Sequence, residues 1–186
     1  MADSFMRYVA ALTLFDGYFD VRPGKNYEVV IADLSREFLK KLALGLRRRG
    51  VSCSLLTAKR DKAWRLRIYG KETILTLRRL AHEELTNPSK ILLAAAIDAE
   101  GSIVTQTSQP LRIRITVKEG EKADAIERAL RRINIPYLKL RKCRKRGECN
   151  YLEFVISNKR NVGFLLSKIK LNHPDKVMKI LSRLNS

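Results

Sequence analysis

The 186-residue chain is short of acid, of cysteine and of histidine. Nineteen Asp and Glu stand against thirty-eight Lys and Arg, a formal charge of +19 that excludes a neutral or acidic surface. Its two histidines, His82 and His173, have neither metal-ligand spacing nor a carboxylate pattern around them. Cys53, Cys143 and Cys149 show neither zinc-site nor paired-bridge spacing. That predicts reduced thiols and an intracellular setting, the cytoplasm of a prokaryote or an organelle matrix. No apolar run approaches the roughly 18 to 20 residues of a membrane helix, so no membrane partner is expected. The N-terminus has no basic segment followed by an apolar core and a cleavage site. A glycine-rich phosphate loop and a nucleophile elbow are both missing. The 45% apolar content rules out a disordered basic tail. A chain of this length buries roughly 70% of its unfolded surface, in one core or in two small lobes.

The positive charge is spread through the chain rather than gathered in a tail, and it alternates with apolar residues. Arg65 and Arg67 interleave with Trp64, Leu66 and Ile68; Arg112 and Arg114 interleave with Leu111, Ile113 and Ile115. On a strand, alternate residues share a face, so each segment offers one apolar and one basic face. Nucleic acid is the natural partner of an extended basic surface, with a solvated sheet face as the bland alternative. Basic strands without matching acids are poor material for ion pairs.

Hydrophobic periodicity and turn residues give an ordered series. An apolar helix over 4–16, capped by Ser4, leads to strands YFDVR and YEVVIAD joined around Pro23-Gly24. A helix capped by Ser35 runs to Gly50; strands VSCSLLTAK and AWRLRIYG turn at Arg60–Lys62, and a helix covers about 71–84. The series then repeats: an apolar helix from Pro88 to Gly101, strands near 102–107 and 111–117, and a helix at 121–134. Strands near 137–143 and 151–156 and helices at 160–169 and 174–184 complete it. Short matches support duplication: FDG at 15–17 with AEG at 99–101, and RRRGV at 47–51 with RRINI at 131–135. LTNPSKI at 85–91 matches LNHPDKV at 171–177, which places Lys90 and Lys176 at equivalent positions, as structural or phosphate-contacting residues alike. The expected fold is α+β, two αββαββα lobes at 1–86 and 87–186, each with a curved four-stranded antiparallel sheet and the pair related by a pseudo-twofold axis.

Each long apolar helix ends in an acid followed by glycine, Asp16-Gly17 and Glu100-Gly101. A carboxylate at the negative end of a helix gains nothing from the dipole, whereas a divalent cation there does. Asp16 and Glu100, with the last-turn carbonyls of Phe15 and Ala99, are oxygen ligands suited to Mg²⁺, or to Mn²⁺ or Ca²⁺ at the same sites. The bland reading makes them ordinary helix-end residues, with glycine supplying a left-handed cap.

These motifs resemble the LAGLIDADG family of homing endonucleases. The second, Leu93 to Gly101 read as LAAAIDAEG, is close; the first, Val9 to Gly17 read as VAALTLFDG, keeps the final acid and glycine. The resemblance spans nearly the whole chain, and two motifs in one polypeptide match the monomeric members. It implies motif helices packed at a lobe interface, acids Asp16 and Glu100 binding Mg²⁺ beneath the DNA minor groove, and sheets set in the major groove. It also implies a staggered double-strand break in a long asymmetric target during intron homing. Family members carry polar and basic residues where the second strand of each repeat meets its helix, which here gives Asp33 and Lys118 as further catalytic candidates. Asp98 looks like a capping or packing residue, and its counterpart is Leu14. The alternative is an RNA-splicing maturase or a non-cleaving binder of nucleic acid, with the chain's own intron RNA as partner. A structural component of a ribonucleoprotein would leave the paired acids unused.

Candidate readers of DNA lie on the strand faces opposite the apolar residues. They are Arg22, Arg65, Arg67 and Tyr69 in the first lobe, and Arg112, Arg114, Thr116, Lys139 and Arg141 in the second, where Lys142 begins a basic cluster expected to reach the phosphate backbone. Arg144 and Lys145 continue the basic run in a hairpin loop. Trp64 reads as sheet packing rather than a stacking platform for bases.

Overall fold

The computed structural model describes residues 3–57, 62–104, 106, 108–143 and 149–185. The chain divides into two compact units, Met1–Glu83 and Glu84–Ser186. In the first, helix α1 (Ser4–Asp16) leads into strands β1 (Gly17–Arg22) and β2 (Asn26–Asp33), then helix α2 (Arg36–Arg47) and strands β3 (Cys53–Thr57) and β4 (Trp64–Tyr69). Helix α3 (Lys71–Thr86) crosses the unit boundary. The second unit contains α4 (Lys90–Glu100), β5 (Gly101–Val104), β6 (Arg112–Lys118), α5 (Glu121–Arg132), β7 (Leu138–Lys142) and β8 (Tyr151–Ser157). Helices α6 (Lys159–Lys168) and α7 (Pro174–Leu184) complete it. Each unit holds one four-stranded antiparallel sheet, ordered β1-β2-β4-β3 and β5-β6-β8-β7. The ladders start alike, Gly17 opposite Ile31 and Gly101 opposite Ile115, so the duplication holds at the level of register.

Local chemistry explains the boundaries. Ser35 caps α2 and Ser89 caps α4, each accepting a backbone N–H through its hydroxyl. At α1 the cap is Asp3 rather than the expected Ser4: its Oδ1 accepts the Phe5 N–H at 3.0 Å. Asp3 also pairs with Arg49, whose guanidinium holds that carboxyl below the usual range and sits 4.4 Å over the Phe5 ring. An ionised, paired carboxylate is a better cap than the neighbouring serine. Gly24, at φ +75°, makes the β1–β2 turn that an L side chain resists. Part of the expected Arg60–Lys62 turn lies outside the described residues.

The cores follow from the two periods. In α2, Phe38, Leu39, Leu42, Ala43 and Leu46 fall on one face and are buried, against strands whose inward residues are Val29, Ile31, Leu66 and Ile68. In the second unit, Ala123, Ile126 and Leu130 of α5 and Ile113, Ile115, Phe154 and Ile156 of the sheet are buried. Each such large side chain contributes roughly 1.5–3 kcal/mol of apolar burial.

Two expectations are corrected here. Cys143 and Cys149 are joined by a disulfide rather than held as separate thiols, while Cys53 is free. The antiparallel pairing of β7 with β8, ending at Lys142 opposite Tyr151, brings the two cysteines together despite a spacing that sequence alone does not single out. The second concerns β7. Its register places Lys139 opposite Phe154 and Arg141 opposite Leu152, on the helix-bearing face, while Leu138, Leu140 and Lys142 occupy the open face. Edge position and acidic partners make that phase possible: Arg141 reaches Glu119 at 3.1 Å, and Lys139 reaches Glu127 of α5 at 2.6 Å.

Glu127 gathers Lys139, the Tyr137 hydroxyl at 3.0 Å and Arg131 at 2.7 Å. Lys139 foremost, then Tyr137 and Arg131, hold its carboxyl below the usual range. A carboxyl with a depressed folded pKa contributes stability that is present above its unfolded value, near 4.3, and is lost as pH falls through the folded one. Glu127→Gln is therefore expected to cost about 1 kcal/mol at pH 7. Urea unfolding should show that difference shrinking as pH falls below the unfolded value and through the lower folded one.

Candidate functional site

Both motif helices are apolar through their middle turns and end on an acid. Tyr8 to Thr13 of α1 and Leu92 to Asp98 of α4 are buried, and neither helix has a basic residue in its last turn. Asp16 is half-buried and Glu100 is exposed. The glycines after them have ordinary negative φ, −139° at Gly17 and −73° at Gly101, so the left-handed cap is not what they supply. They supply room. A Cβ at Gly17 would lie 2.7 Å from the Val30 carbonyl oxygen, and one at Gly101 would lie 2.3 Å from that of Ile97. Helix thus passes into strand with no intervening loop, and the acid sits at the corner. Gly17 and Gly101 pair with Ile31 and Ile115, so the ends of β2 and β6 that carry Asp33 and Lys118 run alongside these corners. Asp33 accepts the Ser35 N–H at 2.6 Å in the turn into α2, and Lys118 is exposed.

The end of α4 is fastened by two charged residues acting in opposite directions. Buried Asp98 accepts the backbone N–H groups of Asn172 and His173 at 2.8 and 3.2 Å, the start of α7. In return Lys176 of α7 donates to the carbonyl oxygens of Ile97, Asp98 and Ala99 at 3.0, 2.5 and 2.9 Å. Asp98 acts as the capping residue its position suggested, and of the two structural and phosphate readings of Lys176 the structure realises the structural one. Its repeat counterpart Lys90 is exposed at the start of α4. The cation at the α4 carbonyl pole is thus this ammonium, and Ala99 gives its carbonyl to it. His173 is buried beside Asp98, at the N-cap position of α7.

Among the described residues, no three or more His, Cys, Asp or Glu gather into a metal cage. A hard cation such as Mg²⁺ needs only one or two protein carboxylates beside water and phosphate oxygens. Each corner offers one such carboxylate, Asp16 in the first unit and Glu100 in the second.

The open sheet faces carry the predicted readers, together with acids that sequence reasoning had not paired with them. In the first unit Arg22, Arg65, Arg67 and Tyr69 share one face. Arg67 is held by buried Glu28, and Arg22 donates to Asp20 at 2.9 and 2.7 Å. Tyr69 and Ser54 hydroxyls lie 2.8 Å apart. Trp64 lies on the opposite face, with the Arg36 guanidinium 4.5 Å above its ring. In the second unit Arg112, Arg114 and Thr116 share the open face with Lys142, which pairs with buried Glu153 at 3.4 Å. Arg144 and Lys145 lie outside the described residues. The expectation of basic strands without acidic partners is therefore corrected: Glu28, Asp20 and Glu153 orient several of these cations. The signal was there in β2 and β8, whose outward positions include Glu28 and Glu153.

The model of the LAGLIDADG-like domain matches residues 6–81 and 88–170, one match in each unit. No curated protein sequence matches the chain. Among solved structures, a variant of I-DmoI in complex with its target DNA in the presence of Mg is 17% identical, with a TM-score of 0.66, covering 89% of this chain and 95% of that one. I-DmoI with DNA and Ca is 18% identical at a TM-score of 0.66, covering 94% and 96%. Full-length DUF199/WhiA from Thermatoga maritima is 12% identical at 0.66, covering all of this chain and 61% of that one. At these identities the likeness is one of fold.

The α4 clamp predicts a specific cost. Lys176→Met strips donors from three carbonyls while leaving Asp98 in place, and is expected to lower the unfolding free energy by about 2–4 kcal/mol. Lys176→Arg should restore part of that. Urea denaturation of the three proteins checks both.

Proposed function

The chain belongs to the LAGLIDADG-like family, matched over both of its units, and on that footing we propose that it is a site-specific endonuclease of double-stranded DNA. Each unit acts on one half of a long asymmetric target, its sheet lying in the major groove and its motif acid serving the cut. The single observation that carries this reading is the repeated corner: an apolar helix, a carboxylate and a glycine that admits no Cβ, built the same way in both units. A fold needs no acid at such a corner, and the negative helix end disfavours one. The charge of +19 suits a polyphosphate partner.

Asp16 in the first unit and Glu100 in the second would each serve as a carboxylate ligand for a divalent cation, which when bound supplies a Lewis acid for the phosphate and a water of lowered pKa. Around them this chain's own groups divide the work. Lys118, exposed at the end of β6, is placed to meet phosphate or to orient water, and Lys176 neutralises the α4 carbonyls so that Glu100 projects from a fixed helix end. The first unit has Leu34 where the second has Lys118, and Asp33 beside it, so the two strands meet different surroundings. Arg67 and Arg22, fixed by Glu28 and Asp20, present guanidinium edges in set orientations, as bidentate contact with guanine requires. The protein acts as a monomer, both motifs being in one chain.

The test separates chemistry from binding. Asp16→Asn and Glu100→Gln are each expected to slow double-strand cleavage by at least about a hundredfold, with DNA affinity in EDTA changed by no more than about threefold. Cleavage assays and gel-shift titrations on one duplex read both quantities. Equal cleavage by the variants and the wild type contradicts the assignment. Protection of the chain's own intron RNA, with no cut in any DNA, transfers the same surface to a maturase.

A further inference from the structure

The second sheet carries its leucines on the wrong side for a core. In β7, Lys139 and Arg141 lie on the helix-bearing face, while Leu138 and Leu140 lie on the open one, 61% and 43% exposed. Glu127 and Glu119 take up the inward charges, which leaves the two leucines on the solvent side of an edge strand. Register places Leu138 opposite Val155, which is in turn opposite Arg114, so one row across the sheet reads leucine, valine, arginine. Leu140 stands in the next row, opposite Glu153. With Arg112 these residues line a shallow groove of about 220 Å³. The corresponding places in the first sheet follow from its matching register: Ser54 for Leu138, Leu56 for Leu140 and Arg67 for Val155. There Ser54 and Arg67 stand where the second sheet has Leu138 and Val155, with Val30 and Tyr18 beyond them, while Leu56 keeps an exposed leucine in the next row.

From this we propose that the open face of the second sheet recognises thymine, Leu138 and Leu140 taking the 5-methyl groups that thymine projects into the major groove while Arg112 and Arg114 contact guanine edges or phosphates beside them. The inference rests on the DNA-binding reading above and deepens it. A methyl is the one apolar group a base pair offers in that groove, and the arginines that flank the leucines match DNA rather than a protein's apolar patch. Cytosine at the same place has only hydrogen at C5, so the leucines lose the methyl contact. The two half-sites should therefore differ in degree: methyl contact has two leucines on the edge strand of the second sheet and only Leu56, beside Ser54, on that of the first.

The experiment is selection of bound duplexes from a randomised library in EDTA, followed by titration of the selected site with uracil in place of thymine. Thymine should be enriched at two or more positions within one half-site. Each deleted methyl should weaken wild-type binding by about fourfold, the worth of one buried methyl group. For the double variant Leu138→Ser, Leu140→Gln, both substitutions being at exposed positions, uracil should cost nothing further. A selected site without thymine preference, or an equal uracil penalty in wild type and variant, overturns the inference while leaving the DNA-binding reading intact. Failure to enrich any duplex overturns both.

Discussion

The exchange between Asp98 and Lys176 fixes where the second motif ends. A helix whose middle turns are wholly apolar, as Ile91 to Ile97 are here, has little side-chain polarity to set its axial position. Here Asp98 pulls the backbone of α7 onto α4 while Lys176 holds the α4 carbonyls. Buried charges are costly unless each finds hydrogen-bonding partners, and here the carboxylate accepts two N–H groups while the ammonium serves three carbonyls. Three features depend on that end point: Gly101 entering β5 without a loop, Glu100 at the corner and Lys118 running alongside. In the first unit Leu14 stands at the position of Asp98, so α1 is not held by the same device.

Charge in this molecule has two roles that net charge alone conflates. Some cations are structural: Arg49 on Asp3, Lys139 and Arg131 on Glu127, and Lys176 on the α4 carbonyls. Others are presented. Arg67 on buried Glu28 and Arg22 on Asp20 have one edge of the guanidinium bonded and the rest of the group directed over an open sheet face. An arginine oriented in this way loses less side-chain entropy when it meets a base or a phosphate. The buried acids at the centre of each face thus lower overall affinity for a polyanion while sharpening the geometry of each contact.

The element order, the duplication and the acid–glycine corners were legible because each rests on a strong local signal: hydrophobic period, turn residues, or a repeated motif at one offset. What escaped the sequence was the phase of an edge strand. LKLR alternates, and alternation fixes which residues share a face without saying which face is the core. Elsewhere burial of the apolar set decides; in β7 the acids Glu127 and Glu119, from neighbouring elements, reverse the decision. The disulfide between Cys143 and Cys149 escaped for the same reason, since it depends on the β7–β8 pairing. The part Lys176 plays was also out of reach, because its partners are backbone carbonyls some 77 to 79 residues away, which no side-chain pattern records.

The central claim is that these two corners serve metal-dependent cutting of DNA. Its most direct measurement uses the purified wild-type chain and a plasmid carrying the uninterrupted locus into which its own coding element inserts, with Mg²⁺ and with EDTA. The account predicts one discrete double-strand break, staggered, in the Mg²⁺ sample alone. Specific binding without a break at any Mg²⁺ concentration would contradict it, as would a break that persists in EDTA.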